Sequence, residues 1–219
     1  MKKFTLALGI AILGAIVSSP KVFAENFNQS EPILIAQTQT QLKPQLQLPS
    51  IKPQSTPNSN PVNSNNLETL LNQAAEYLEK GDYDKVVENC NQVLLQDKDN
   101  NGAYLLRGLA YTQLEKYQPA VDDFNQAIRI DPNSHYSYFG RGYAYLHLKD
   151  YEHSLADFNQ AIKLDSNFAH GYFWRGIAQG NLGNKQGAIA DLKQAAELYK
   201  KEGKTENMKT ALDLLKQIS

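Results

Sequence analysis

The sequence predicts an all-α fold, a solenoid of stacked helical hairpins, and three observations carry that prediction. The stretch Tyr104-Leu-Leu-Arg-Gly-Leu-Ala-Tyr111 returns 34 residues later as Tyr138-Phe-Gly-Arg-Gly-Tyr-Ala-Tyr145, and again as Tyr172-Phe-Trp-Arg-Gly-Ile-Ala178. A second stretch keeps step with it: Asp123-Phe-Asn-Gln-Ala-Ile128, Asp157-Phe-Asn-Gln-Ala-Ile162 and Asp191-Leu-Lys-Gln-Ala-Ala196. Each copy also holds two runs whose apolar residues recur every three or four positions around a short polar turn, the pattern of a helical hairpin. A fixed period of this length means repeated units, none of which can bury its apolar face without a neighbour.

Taking Gly81, Glu115, Lys149 and Gly183 as the equivalent turn divides the chain into four antiparallel helix-turn-helix units, 67–100, 101–134, 135–168 and 169–202. What precedes them differs in kind. Residues 1–24 read as a secretory signal peptide: Lys2 and Lys3, an uncharged apolar run from Phe4 to Val17, then small residues around Val22-Phe23-Ala24. That run is 14 residues long, short of the roughly 20 a spanning helix needs. Export to a periplasm or the exterior is therefore expected, with no integral membrane span once the signal is removed. An uncleaved signal serving as a membrane anchor is the alternative. Residues 25–66 hold six of the nine prolines, seven Gln, seven Asn and only four charges. Such a composition buries too little apolar surface to offset the entropy of ordering, so a disordered linker is expected.

Within the units, Asp82, Asp150 and Asn184 are placed to cap the second helices, Pro119 falls in a first turn, and Asp131-Pro132 ends a helix. Small residues recur at Ala74, Gly108, Gly142 and Gly176 on the first helix and at Val86, Ala120, Ser154 and Ala188 on the second. They are expected to let the paired axes approach closely. Tyr77, Tyr111 and Tyr145, with Phe124 and Phe158, are expected to fill the space between units. Cys90 stands where Phe124 and Phe158 stand and reads as a small buried hydrophobe. In residues 203–219, Met208, Ala211, Leu212, Leu215 and Ile218 make one apolar stripe, expected to be a helix capping the last open edge.

The order aromatic, Arg-Gly, Tyr, then Ala, then Phe-x-x-Ala, then Asp-Pro, on a 34-residue period, resembles the tetratricopeptide repeat. The resemblance covers residues 67–202 and is sharpest in the second and third units. The first unit lacks the Gly and the terminal Pro, and the fourth has Gln179 in place of Tyr. It implies a right-handed superhelical solenoid that binds a protein or peptide and is not an enzyme.

Composition and motifs agree with a non-catalytic role. The balance of 22 Lys and Arg against 23 Asp and Glu gives no general attraction for nucleic acid. One cysteine excludes an internal disulfide. His135, His147, His153 and His170 form no i, i+4 pair, so no metal site is expected. No catalytic constellation and no cofactor motif is legible. One charged pair recurs with the period: Arg107, Arg141 and Arg175 each stand 16 residues before Asp123, Asp157 and Asp191. In the first unit both members change together, to Gln73 and Asn89. Joint loss suggests that the two positions face each other as a structural ion pair. An arginine row that reads a ligand carboxylate is the alternative.

The resemblance also implies a concave groove lined by the second, fifth and ninth positions of the first helices. Those positions give Leu71 (with Ala75), then Leu105 and Leu109, then Tyr136, Phe139 and Tyr143, then His170, Phe173 and Ile177. Such a groove would suit a peptide with hydrophobic anchors. Packing of the same side chains beneath the next turn is the competing reading. Chaperone-binding members of the family clamp a carboxylate with Lys and Asn, where Leu71 and Ala75 stand here, so that ligand is not expected. Self-association through the repeats is a further alternative.

Overall fold

The computed structural model describes residues 64–219. The proposed signal peptide and nearly all of the proposed linker lie outside these residues. Among the described residues there are nine helices and no strand: α1 (Ser64–Lys80), α2 (Tyr83–Gln96), α3 (Asn101–Gln113), α4 (Tyr117–Ile130), α5 (His135–His147), α6 (Tyr151–Leu164), α7 (Ala169–Asn181), α8 (Lys185–Lys201) and α9 (Thr205–Ile218). α1 starts at Ser64, ahead of the expected Leu67. The helices pair as α1 with α2, α3 with α4, α5 with α6 and α7 with α8, and α9 lies on α8. They fall into two compact halves, one ending at Pro132 with α1–α4 and one starting at Asn133 with α5–α9.

The turn inside every hairpin is made the same way. Gly81, Glu115, Lys149 and Gly183 all have positive φ, at 77°, 58°, 61° and 79°. A left-handed residue lets the chain leave the first helix while its last carbonyls still find donors, as in the bond from Lys116 N–H to Tyr111 O at 2.8 Å. Only glycine takes that conformation without a Cβ penalty, so Lys149→Gly is expected to raise stability by up to about 1 kcal/mol once glycine's greater chain entropy is subtracted. A thermal melt reads this directly, and a lower melting temperature would count against it.

Side-chain oxygens of Asp150 and Asn184 accept from the N–H groups of His153 and Gly187, capping α6 and α8. Asp82 does not cap α2. Its carboxylate is instead taken up by Lys85 at 2.6 Å.

The core adds a feature to the expectation. Phe124 and Phe158 fill the inside of their own hairpins. A Cβ added at Gly108 would meet the Phe124 ring at 3.0 Å, and one at Gly142 would meet Asp157 Cβ at 3.0 Å and the Phe158 ring at 3.1 Å. The glycine makes room for the ring of the opposite helix, and this is why the two recur together. Cys90, at the same position, is buried, and burial pushes its thiol up to about 12. Tyr77 lies under Lys85, Tyr111 under Arg107 and Tyr145 against His153, each half-buried on its own hairpin.

The capping helix is rotated from the stripe expected of it. Asn207, Thr210, Ala211 and Leu214 are buried, whereas Leu212 is 38% exposed. The spacing i, i+3, i+4, i+7 still makes one helical face. Its small members Thr210 and Ala211 let α9 lie close, and the Thr210 hydroxyl donates to Glu206 O at 2.9 Å, so burying it leaves nothing unpaired.

Candidate interaction surface

The repeating arginine is a two-sided clamp. Arg107 donates from Nε and Nη2 to the two carboxylate oxygens of Asp123 at 2.8 and 2.6 Å. Arg141 does the same to Asp157 at 2.8 and 2.7 Å, and Arg175 to Asp191 at 2.7 Å twice. This fork-to-fork geometry is the strongest form of a charge-assisted bond. Burial holds the Asp123 and Asp157 carboxyls above their ordinary value, against the pull of the facing guanidinium. The remaining Nη1 of Arg107 reaches back to Asn91, and that of Arg175 to Asn159 at 2.9 Å. The clamp thus ties the two helices of one hairpin and hooks onto the hairpin before it. Asn91 and Asn159 escaped the sequence reading, although they stand 16 residues before their arginines, the same interval that separates the arginine from its aspartate.

Aromatic faces complete the setting. The guanidinium of Arg107 lies 5.7 and 5.9 Å from the rings of Tyr104 and Tyr111, Arg141 lies 5.7 Å from Tyr138, and Arg175 lies 5.3 Å from Tyr172. In the first hairpin the neutral pair stands in: Asn89 donates to Leu70 O at 3.3 Å and to Gln73 Oε1 at 3.4 Å.

The nine groove positions all fall on first helices. Leu71 and Tyr136 are half-buried, while Leu105, Leu109, Phe139, Tyr143, His170, Phe173 and Ile177 are buried. Phe139 packs edge-on to Phe168 at 5.0 Å and beside Phe158 at 5.7 Å. Tyr143 meets Trp174 edge-on at 4.8 Å, and Phe173 lies 6.4 Å from Tyr199. Tyr136 reaches the Phe168 edge at 5.9 Å, and burial pushes its phenol up to about 12.

Among the described residues no group of three or more His, Cys, Asp or Glu side chains is placed to hold a metal. No helix among them is long and apolar enough to cross a membrane.

The tetratricopeptide repeat family models match residues 102–134, 135–168 and 169–202. Residues 102–202 are tetratricopeptide repeats. The stretch 67–100, whose hairpin replaces the charged clamp by Gln73 and Asn89, is outside the match. No curated protein matches the chain. Solved structures that share the fold include MamA, at 24% identity and TM-score 0.59, with 64% of this chain and 82% of that one covered. The first such domain of Spaghetti (RPAP3), bound to the HSP90 peptide SRMEEVD, is 22% identical with TM-score 0.54, covering 55% of this chain and 95% of that one. An O-GlcNAc transferase of Thermobaculum terrenum is 20% identical with TM-score 0.61, over 64% of this chain but only 28% of that one.

Proposed function

We propose that this chain is an exported, non-enzymatic scaffold or assembly factor that holds a peptide or a segment of a partner protein against its first-helix faces, at a bacterial envelope or outside the cell. One observation carries the reading. The residues that repeat are occupied by the fold: each arginine has its carboxylate filled, and Gly108 and Gly142 are filled by a facing ring. The residues that change between repeats, Leu105 and Leu109, Phe139 and Tyr143, Phe173 and Ile177, each stand as a pair on one first helix, α3, α5 or α7. Leu71 in one half and Tyr136 in the other are the half-buried members of the set, and a ligand would meet these first. Export rests on residues 1–24 alone.

The RPAP3 domain supports the class of ligand, a short peptide, because it shares this fold. Its peptide is not carried over, since the half-buried Leu71 and Tyr136 favour apolar anchors. The transferase likeness covers too little of that enzyme to bring its activity with it. Against self-association, α9 already lies over α8 with Leu214 buried.

A photo-crosslinking residue at Tyr136 or Leu71 tests the proposal, with exposed Ala156 on α6 as control. Discrete adducts in the native compartment are expected from the first two positions and not from Ala156. Adducts from Ala156 alone would sink the assignment, and an adduct of the chain with itself would favour the self-associating alternative.

A further inference from the structure

All four histidines, His135, His147, His153 and His170, lie in the half that runs from Asn133 to Ser219. His170, near the start of α7, is buried at 2% exposure. The Tyr199 hydroxyl of α8 shares a hydrogen bond of 2.7 Å with its Nδ1, and its other ring nitrogen is buried with no hydrogen-bond partner among the described residues. Phe168 and Phe139 supply its apolar walls, at 6.0 and 6.5 Å. On the side of the cap, Asn207 of α9 adjoins the same Tyr199 phenol, and the positive charge of Lys204 acts on His170. Glu202, in the same turn, acts on Tyr199 and is engaged by Lys204 at 2.7 Å. On the far side of Phe168, His135 faces Asp165 at 3.9 Å.

We propose that His170 is an acid-operated latch, and that taking up a proton there loosens α8 at Tyr199 and with it the α9 cap that lies on α8. The neutral ring needs only one donor, whichever nitrogen holds it. A protonated ring carries a donor at both nitrogens, with no acceptor among the described residues at Nε2, and a buried charge beside Lys204. Burial and Lys204 hold His170 down at about 3, against 6.5 for an ordinary histidine. The sign follows. Stability due to the neutral ring is complete above the unfolded value and is lost as pH falls from 6.5 towards 3, tenfold in the folding constant per pH unit. His147, held at about 4 by burial, acts in the same direction. The Arg–Asp clamps do not single out this half, because Arg107–Asp123 belongs to the other.

Hydrogen exchange by mass spectrometry on the full chain, corrected for intrinsic rates, tests the latch. Between pH 6.5 and pH 4.5 the opening constant of α9 and the end of α8 is expected to rise about 50-fold, before α1–α4 respond. H170N keeps an oxygen acceptor near the place of Nδ1 and cannot take the proton, so its acid response is expected to flatten. An equal acid response in wild type and H170N, or opening that begins in α1–α4, overturns the proposal. Should H170N not fold at neutral pH, the imidazole resonances of the wild type decide. Titration of His170 near 6.5 with α9 still protected overturns the latch, and loss of α9 protection in step with its protonation supports it.

Discussion

Alanine at both Phe139 and Phe173 will unfold α5–α9. Each ring is buried, at 4% and 0% exposure, and each sits in a set of aromatic neighbours that cannot close over a lost benzyl group. Removing a buried phenylalanine costs roughly 3–5 kcal/mol, part transfer and part cavity. The two sit on different helices, α5 and α7, so their effects are expected to add, to roughly 6–10 kcal/mol. That is comparable with the whole stability of an ordinary domain. Circular dichroism should show helicity lost over this half, while either single variant melts early but folds. Full helicity in the double variant, with partner capture gone, would instead put the two rings on the binding surface.

Breaking one clamp from either side should be the next largest effect, and breaking it from both sides at once should cost less than the two losses summed. Asp157 is 7% exposed at its side chain and holds both of its oxygens against Arg141, which is 21% exposed. Asp157→Asn leaves a half-buried guanidinium with one good acceptor fewer. A fully buried pair broken this way costs about 3–5 kcal/mol, so with solvent at the arginine about 2–3 kcal/mol is expected. R141Q leaves the buried carboxylate unpaired, with a similar loss. The double variant recreates what the first hairpin already uses, Gln73 with Asn89. Urea unfolding of the four proteins of the cycle should give a double variant well above the sum of the singles, with a coupling of about 1–2 kcal/mol. Additive losses would mean that the two side chains do not support each other.

Much of the architecture could be read from the period alone, because a hairpin with a fixed 34-residue repeat leaves few ways to pack. The turn positions were legible for the same reason, although Glu115 and Lys149 give no chemical hint that the backbone there is left-handed. That Gly108 is the socket of Phe124 was not legible, because the sequence shows only that the two positions recur together. The stripe on α9 was misread because Asn207 and Thr210 look polar in sequence. Each finds its place only beside Tyr199 or by bonding its own helix. The clamp was legible through joint replacement in the first hairpin, and its hook onto Asn91 and Asn159 was not, since asparagines on an exposed face carry no signal without the spacing. The groove positions were legible as a set, whereas how deeply each side chain is buried depends on its neighbours in space.

The repeating Arg–Asp positions build the hairpins, and the half-buried first-helix positions Leu71 and Tyr136 are proposed to meet the partner. The direct measurement is the yield of the Tyr136 photo-adduct in the R141Q/D157N background, after circular dichroism has verified the fold. The adduct is expected at the wild-type yield. A folded double variant that no longer forms it would mean that the arginine row itself recognises the ligand.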